Sequence, residues 1–261
     1  MILMKKYASL IGTLVLASAP AIAHEQWQGY YLGVGSGFGF NPGDNGELEF
    51  RRVDGSDNSQ AINAAFGENF DGKFNSGSLL GLQAGYDYQD GRYVYGIELS
   101  IDAADISQEQ TAFSATPASY IERREIDVLT TLAGRIGFAS EHAFLPYVKA
   151  GLAYGDVDYS WEGNSGAFRG ERGDDGDGIG YVLGIGLEVR LDPKMTLSFE
   201  YQYIDLGDAD FETNFSGEQS PLGSNGAFNA FGNAASGGTA AEGSDEDFDF
   251  QVVRTQLKYR F

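Results

Sequence analysis

Gln251–Phe261 reads "QVVRTQLKYRF", and its alternation poses the choice between two kinds of fold. Counting back from the end, Phe261, Tyr259, Leu257, Thr255 and Val253 share one side of an extended chain. Arg260, Lys258, Gln256, Arg254 and Val252 share the other. Successive side chains of a strand point to opposite faces, so this stretch separates two unlike environments. In a water-soluble sandwich the apolar side meets a core and the basic side meets water. In a transmembrane barrel the apolar side meets lipid and the basic side lines an interior.

Seven further segments alternate in the same way. Gly29–Phe38 sets Tyr30, Leu32, Val34 and Phe38 against Gly33, Gly35 and Gly37. Ser78–Tyr88 sets Leu80, Leu82, Ala84, Tyr86 and Tyr88 against Gln83 and Asp87. Tyr93–Asp102 opposes Tyr93, Tyr95, Ile97, Leu99 and Ile101 to Gly96, Glu98 and Ser100. In Glu125–Phe138, Ile126, Val128, Leu132, Ile136 and Phe138 oppose Asp127, Thr131 and Arg135. Pro146–Tyr154, Ile179–Leu191 and Thr196–Tyr203 follow, with Lys149, Glu188, Arg190 and Glu200 among their polar positions, and Phe250–Phe261 completes the eight. The connections alternate in length. Short ones are Gln89–Arg92, with the hairpin pair Asp90-Gly91, Ala139–Leu145 and Asp192–Met195. Long ones are Gly39–Gly77, Ala103–Arg124, Gly155–Gly178 and Leu206–Asp249. An even number of antiparallel strands with turns at one end and loops at the other predicts an all-β, eight-stranded, up-and-down transmembrane barrel. It has four long external loops and three short periplasmic turns.

The chain start agrees. Lys5 and Lys6 precede an apolar run from Leu10 to Ala19 and an A-x-A pattern ending at Ala21 and Ala23. This predicts a secretory signal peptide over 1–23, removed to leave a barrel over 24–261. Aromatic residues at the strand ends, Tyr88, Tyr93, Tyr154, Tyr201, Tyr203, Tyr259 and Phe261, suit a membrane interface, where the ring is buried and its polar tip wet. The 38 acidic side chains outweigh 17 basic ones, so the chain repels phosphate backbones and is no nucleic-acid binder. Without cysteine it has no disulfide, thiol catalysis or thiolate metal site.

Five stretches in order carry a family resemblance: "WQGYYLGVGSGFGF" (Trp27–Phe40), "LPYVKAGLAYG" (Leu145–Gly155), "GYVLGIGLEVRL" (Gly180–Leu191), "LSFEYQYIDLG" (Leu197–Gly207) and the terminal "TQLKYRF". The whole mature chain resembles the small porin-family outer-membrane β-barrels of Gram-negative bacteria. These are OmpA-like in size, and the alpha-proteobacterial group among them includes hemin-binding and major surface proteins. The resemblance implies residence in the cell outer membrane and the role of a surface antigen. It also implies that Leu257, Tyr259 and Phe261 form the C-terminal signal read by the barrel-assembly machinery.

An eight-stranded barrel is just wide enough for side chains to fill. The expected interior charge network is Glu98, Asp127, Arg135, Lys149, Glu188, Arg190, Glu200, Arg254, Lys258 and Arg260, with Glu200 reaching Arg254 or Lys258 from the neighbouring strand. Buried charges persist when they are paired, so the network reads as a structural plug; the alternative is a narrow porin-like path for ions or small solutes. Asp174, Asp175 and Asp177 are the cation candidates of an external loop, although no Glu closes a calcium-loop frame. Arg172-Gly173-Asp174 in the same stretch is a tripeptide of the kind adhesins present. Tyr120 is the one clear loop candidate for axial ligation of hemin. Hydrolytic chemistry commonly needs a histidine base, and the two histidines, His24 and His142, fall at the mature N-terminus and in a periplasmic turn. The expectation is therefore a monomeric, non-catalytic barrel with a structural or surface role and no cofactor. Its partners are outer-membrane lipid and lipopolysaccharide, with divalent cations at the loops.

Overall fold

The computed structural model describes residues 27–43, 46–52, 54–114, 119–140, 143–164, 170–208, 213–215, 239–245 and 247–261. The segment expected as a signal peptide, His24 and His142 lie outside them. Eight strands close into a ring: β1 (Gly29–Phe40), β4 (Gly77–Asp90), β5 (Tyr93–Phe113), β6 (Ser119–Phe138), β7 (Phe144–Gly163), β8 (Gly170–Arg190), β9 (Met195–Asp208) and β12 (Asp247–Arg260). Each pairs antiparallel with the next, and β12 closes the ring on β1 through Gly33↔Lys258 and Gly37↔Arg254. Four smaller strands and a helix stand at the loop end: β2 (Leu48–Arg52), β3 (Phe70–Asn75), β10 (Thr213–Phe215), β11 (Thr239–Gly243) and α1 (Ser59–Phe66).

Burial is inverted relative to a water-soluble protein. Leu80, Leu82, Ile179 and Ile185 are 61–70% exposed on the outer wall, while Glu188 and Lys258 are 0% exposed inside. A continuous apolar girdle of this extent is a surface for lipid, since soluble monomers rarely expose patches beyond a few hundred Å². The short turns show why the strands reverse so tightly. Gly91 takes φ 60, open to glycine because it has no Cβ, and lets Asp90 pair with Tyr93. At the turn between β8 and β9, Asp192 Oδ1 accepts from the backbone N–H groups of Lys194 and Met195 at 2.7 and 2.8 Å.

Two of the expected long loops are strand instead. β5 to β8 run for 20 or 21 residues, about twice what a tilted strand needs to cross the bilayer. Their outer halves keep alternating but change partners. On β7 the inward side chains Val157, Tyr159 and Trp161 stay buried, while above Tyr154 the outward ones are Asp156, Asp158 and Glu162. Water replaces lipid outside at that level, so the pattern looks polar to a search for lipid-facing strands.

The change of level coincides with irregularities in the ladder. Register shifts between Ala103 and Ile106 on β5 and between Ile126 and Val128 on β6 insert extra residues. A bulge flips every side chain beyond it to the other face. Two expectations are thereby overturned: Ile126 points into the barrel at 0% exposure, and Asp127, expected inside, is exposed on the bulge.

Candidate functional site: the filled barrel interior

The lumen is built in layers. At the turn end Trp27, Val94, Ala139 and Leu145 form an apolar lid. The Arg190 guanidinium stands 4.6 Å from the Trp27 ring, and the Arg260 guanidinium donates to the Trp27 carbonyl.

Above the lid a chain of alternating charges crosses from β4 to β9. Asp87 accepts from Arg135 Nε at 2.8 Å, and Arg135 Nη1 lies 2.8 Å from Glu188 Oε2. Glu188 is 3.4 Å from Lys258 Nζ, which is 2.9 Å from Glu98 Oε2. Glu98 then meets Lys149 at 3.1 Å, and Lys149 meets Glu200 at 2.9 Å. Arg260 branches from the chain, 2.8 Å from Asp87 and 3.4 Å from Glu188. Arg135 is held between the Tyr31 and Tyr147 rings, 5.0 Å from each centroid, and those tyrosines donate their hydroxyls to Glu98 and Glu200. Every carboxylate in the chain thus touches a cation, which is the condition for charge to persist out of water.

Nine of the ten residues expected in the interior network lie inside; Asp127 is the exception. Their pairing differs from expectation. Glu200 is the register partner of Arg254, yet Arg254 reaches across the lumen to Asp102 Oδ1 at 2.6 Å. Glu200 instead holds Lys149, Tyr147 and Gln256. The small glycines of β1 make the room: a Cβ on Gly37 would sit 3.0 Å from Arg254 Cγ. Asp87, Asp102, Tyr31 and Tyr147 were missing from the expected network. Their inward phase was legible in the alternation, but a partner across a barrel has no sequence spacing.

Toward the outside the lumen turns apolar. Leu79, Ile106, Ile126, Leu129, Val182 and Phe250 belong to one buried cluster. Above it Asp245 and Asp247, the latter the first residue of β12, are held by side chains of β5 and β6. Arg124 Nη2 donates to the carbonyls of Asp245 and Asp247, both at 2.8 Å, and Gln108 Nε2 donates to Asp245 Oδ2 at 2.7 Å. A second apolar cluster caps this clamp: Leu48, Phe50, Phe66 from α1, Tyr120 and Trp161, with Phe50 stacked on Phe66 and Tyr120 on Trp161. Tyr120, the expected loop ligand for hemin, is therefore 0% exposed, and burial pushes its hydroxyl above the usual tyrosine range.

The expected loop site at Asp174, Asp175 and Asp177 is also changed. All three lie on β8, paired with Tyr159, Asp158 and Asp156. The Asp177 carboxylate accepts from the Tyr154 hydroxyl. The Arg172-Gly173-Asp174 backbone is strand, paired with Tyr159–Trp161. Among the described residues no group of three or more acidic or histidine side chains converges as a metal site.

Comparison with known proteins places this architecture. Residues 9–261 match the family model of the outer membrane protein beta-barrel domain. The chain is 27% identical over 185 residues to the 31 kDa outer-membrane immunogenic protein of Brucella melitensis biotype 1, covering 69% of this chain and 72% of that one. It is 27% identical over 194 residues to the 22 kDa outer membrane protein of Rhizobium leguminosarum bv. viciae, covering 74% and 71%. The crystal structure of OprG from Pseudomonas aeruginosa superposes with a TM-score of 0.51 at 15% identity, covering 91% and 97%, a likeness of fold.

Proposed function

The chain belongs to the outer membrane protein beta-barrel family and resides in the Gram-negative outer membrane; from that premise we propose that it is a sealed, non-catalytic barrel whose task is to display a folded cap at the cell surface. The observation that carries this reading is the filled lumen. Asp87, Glu98, Arg135, Lys149, Glu188, Glu200 and Lys258 are all 5% exposed or less and mutually paired. An apolar lid lies below them and two apolar clusters above. An ion would have to break several buried pairs to pass, each costing about 3–5 kcal/mol when one partner is lost.

The cap supplies the surface role. The Brucella relative is named an immunogenic outer-membrane protein, and carried over to this chain the antigenic surface is the part of β5–β8 that stands above Tyr154. A narrow channel is the competing reading, favoured by Gln83: its amide is 3% exposed inside the barrel and neither polar atom has a partner among the described residues. Single-channel recording of the refolded protein in a planar bilayer separates the two. Silence from a verified folded sample is expected, and steady openings altered by Glu200→Ala would replace the sealed barrel with a pore.

A further inference from the structure

The lipid-facing wall carries two recesses with the same construction. The first, about 830 Å³, is floored by Gly134 of β6 and Ala150 of β7, with Tyr95, Ile136, Leu183 and Tyr203 among its walls. Gly134 and Ala150 are direct register partners, so two successive positions of one cross-strand row lack a side chain of any size. A Cβ on Gly134 would have nothing closer than 3.9 Å. Packing against protein therefore does not require the glycine there; its effect is to leave a slot in the apolar band. The second recess, about 740 Å³, lies over the register partners Ser36 of β1 and Thr255 of β12, between Phe38, Phe199 and Leu187.

Each slot stands in the same relation to a cation. Phe138 lies four positions from Gly134 toward the turns, and the Arg92 guanidinium stands 5.9 Å from its ring. Tyr259 lies four positions from Thr255 toward the turns, and Lys194 Nζ stands 5.6 Å from its ring and 3.3 Å from its hydroxyl. In a chain of formal charge −21, Arg92 and Lys194 are the basic residues among the described positions of the three short turns. Four strand residues span about 14 Å, or roughly 10 Å of depth once the strand is tilted. That is the offset between a lipid phosphate and the middle of its acyl chain.

We propose that these two slots are docking sites for phospholipids of the periplasmic leaflet, with an acyl chain over Gly134–Ala150 or Ser36–Thr255 and an anionic headgroup at Arg92 or Lys194. A chain of methylenes fills a slot one side-chain row wide, and burying each CH₂ against a matched surface recovers the dispersion contacts that a void forfeits. A second copy of the barrel is the poorer occupant. Two convex walls meeting face to face would bridge the recess and leave it empty, with like charges at both turn-end rims. The inference uses only the outer wall, so it stands whether or not the lumen conducts.

The test is native mass spectrometry of the refolded full chain released from bilayers of equal phosphatidylethanolamine and phosphatidylglycerol. Retention of up to two phospholipids, enriched in phosphatidylglycerol, is expected. Gly134→Leu and Thr255→Leu should each remove one, with Ala150→Leu as the second filling variant for the first slot. Arg92→Gln together with Lys194→Gln should erase the headgroup preference. Heat-modifiable migration in gels verifies that each variant is folded. Equal lipid retention by the wild type and the filled variants would overturn the proposal, as would a dimer mass that disappears on filling the slots.

Discussion

Lys258 Nζ lies 2.9 Å from Glu98 Oε2, joining β12 to β5 across the barrel although 160 residues separate them in sequence. The pair is a crossing point of the network: Glu98 also holds Lys149 and Tyr31, and Lys258 also holds Glu188.

Removing the charge at this crossing should be costly and its cost should depend on the partner. Lys258→Met leaves Glu98 and Glu188 short of a cation and is expected to destabilise the refolded barrel by about 3–5 kcal/mol. Lys258→Met combined with Glu98→Gln should recover part of that loss in urea unfolding. A double variant no more stable than the single one would show that charge pairing does not hold this layer.

Gly77 starts β4 against the bulge of β5. A Cβ there would stand 1.4 Å from the Asp105 carbonyl oxygen, a backbone atom fixed by its own strand. Gly77→Ala should cost at least the ~3 kcal/mol at the upper end of overpacking effects, and the variant should be depleted from outer-membrane fractions. Gly134→Ala, whose Cβ meets open space, should insert normally.

Arg124 holds the Asp245 and Asp247 carbonyls and stands 4.8 Å over the Phe248 ring. Hydrogen bonds from a charged donor are worth about 1.5–3 kcal/mol each. Arg124→Ala should therefore loosen the cap while the transmembrane ring stays intact. Faster protease nicking at Ser244–Asp247 on whole cells, with an unchanged heat-modifiable shift, is the expected result.

Partial burial lifts the Asp245 carboxyl above its ordinary range, against the opposing pull of Gln108 and Arg124. The folded cap then holds that proton more tightly than the unfolded chain does. The increment of stability is fully present below the ordinary aspartate value of about 3.9 and is lost as pH rises through the raised folded value. Protection factors of the cap amides, each referenced to intrinsic exchange at the same pH, should rise on acidification from neutral pH toward that window. Asp245→Asn should remove this dependence.

Much of the transmembrane ring is legible in the sequence alone. Leu197, Phe199 and Tyr201 against Ser198, Glu200 and Gln202 give β9 its two faces, and the short turns at Asp90-Gly91 and Asp192–Met195 set β4 beside β5 and β8 beside β9. The outer halves of β5 to β8 were not readable in the same way. There the inward face still packs, as at Val157, Tyr159 and Trp161, but Asp156, Asp158 and Glu162 face water and the lipid signature is gone. The bulge at Asp127 was invisible because one extra residue leaves each half of β6 alternating correctly by itself.

The interior site was legible by membership and not by partnership. Period-two alternation places Arg254 and Glu200 on the inward face, and their register even sets them opposite each other. Long side chains in a lumen just wide enough for them to fill choose among all eight strands, so Arg254 takes Asp102 and Glu200 takes Lys149.

The sequence by itself determined the face of most strand residues and the end at which the turns lie, because both follow from local geometry: side chains alternate at every peptide, and a glycine at Gly91 reverses the chain within two residues. Only the tertiary structure decided which charges pair, where the bulges move a side chain from lumen to surface, and where small residues on adjacent strands line up into a slot. Those depend on cross-strand register and on distances across a closed ring, and closure brings together residues as far apart in sequence as Lys258 and Glu98.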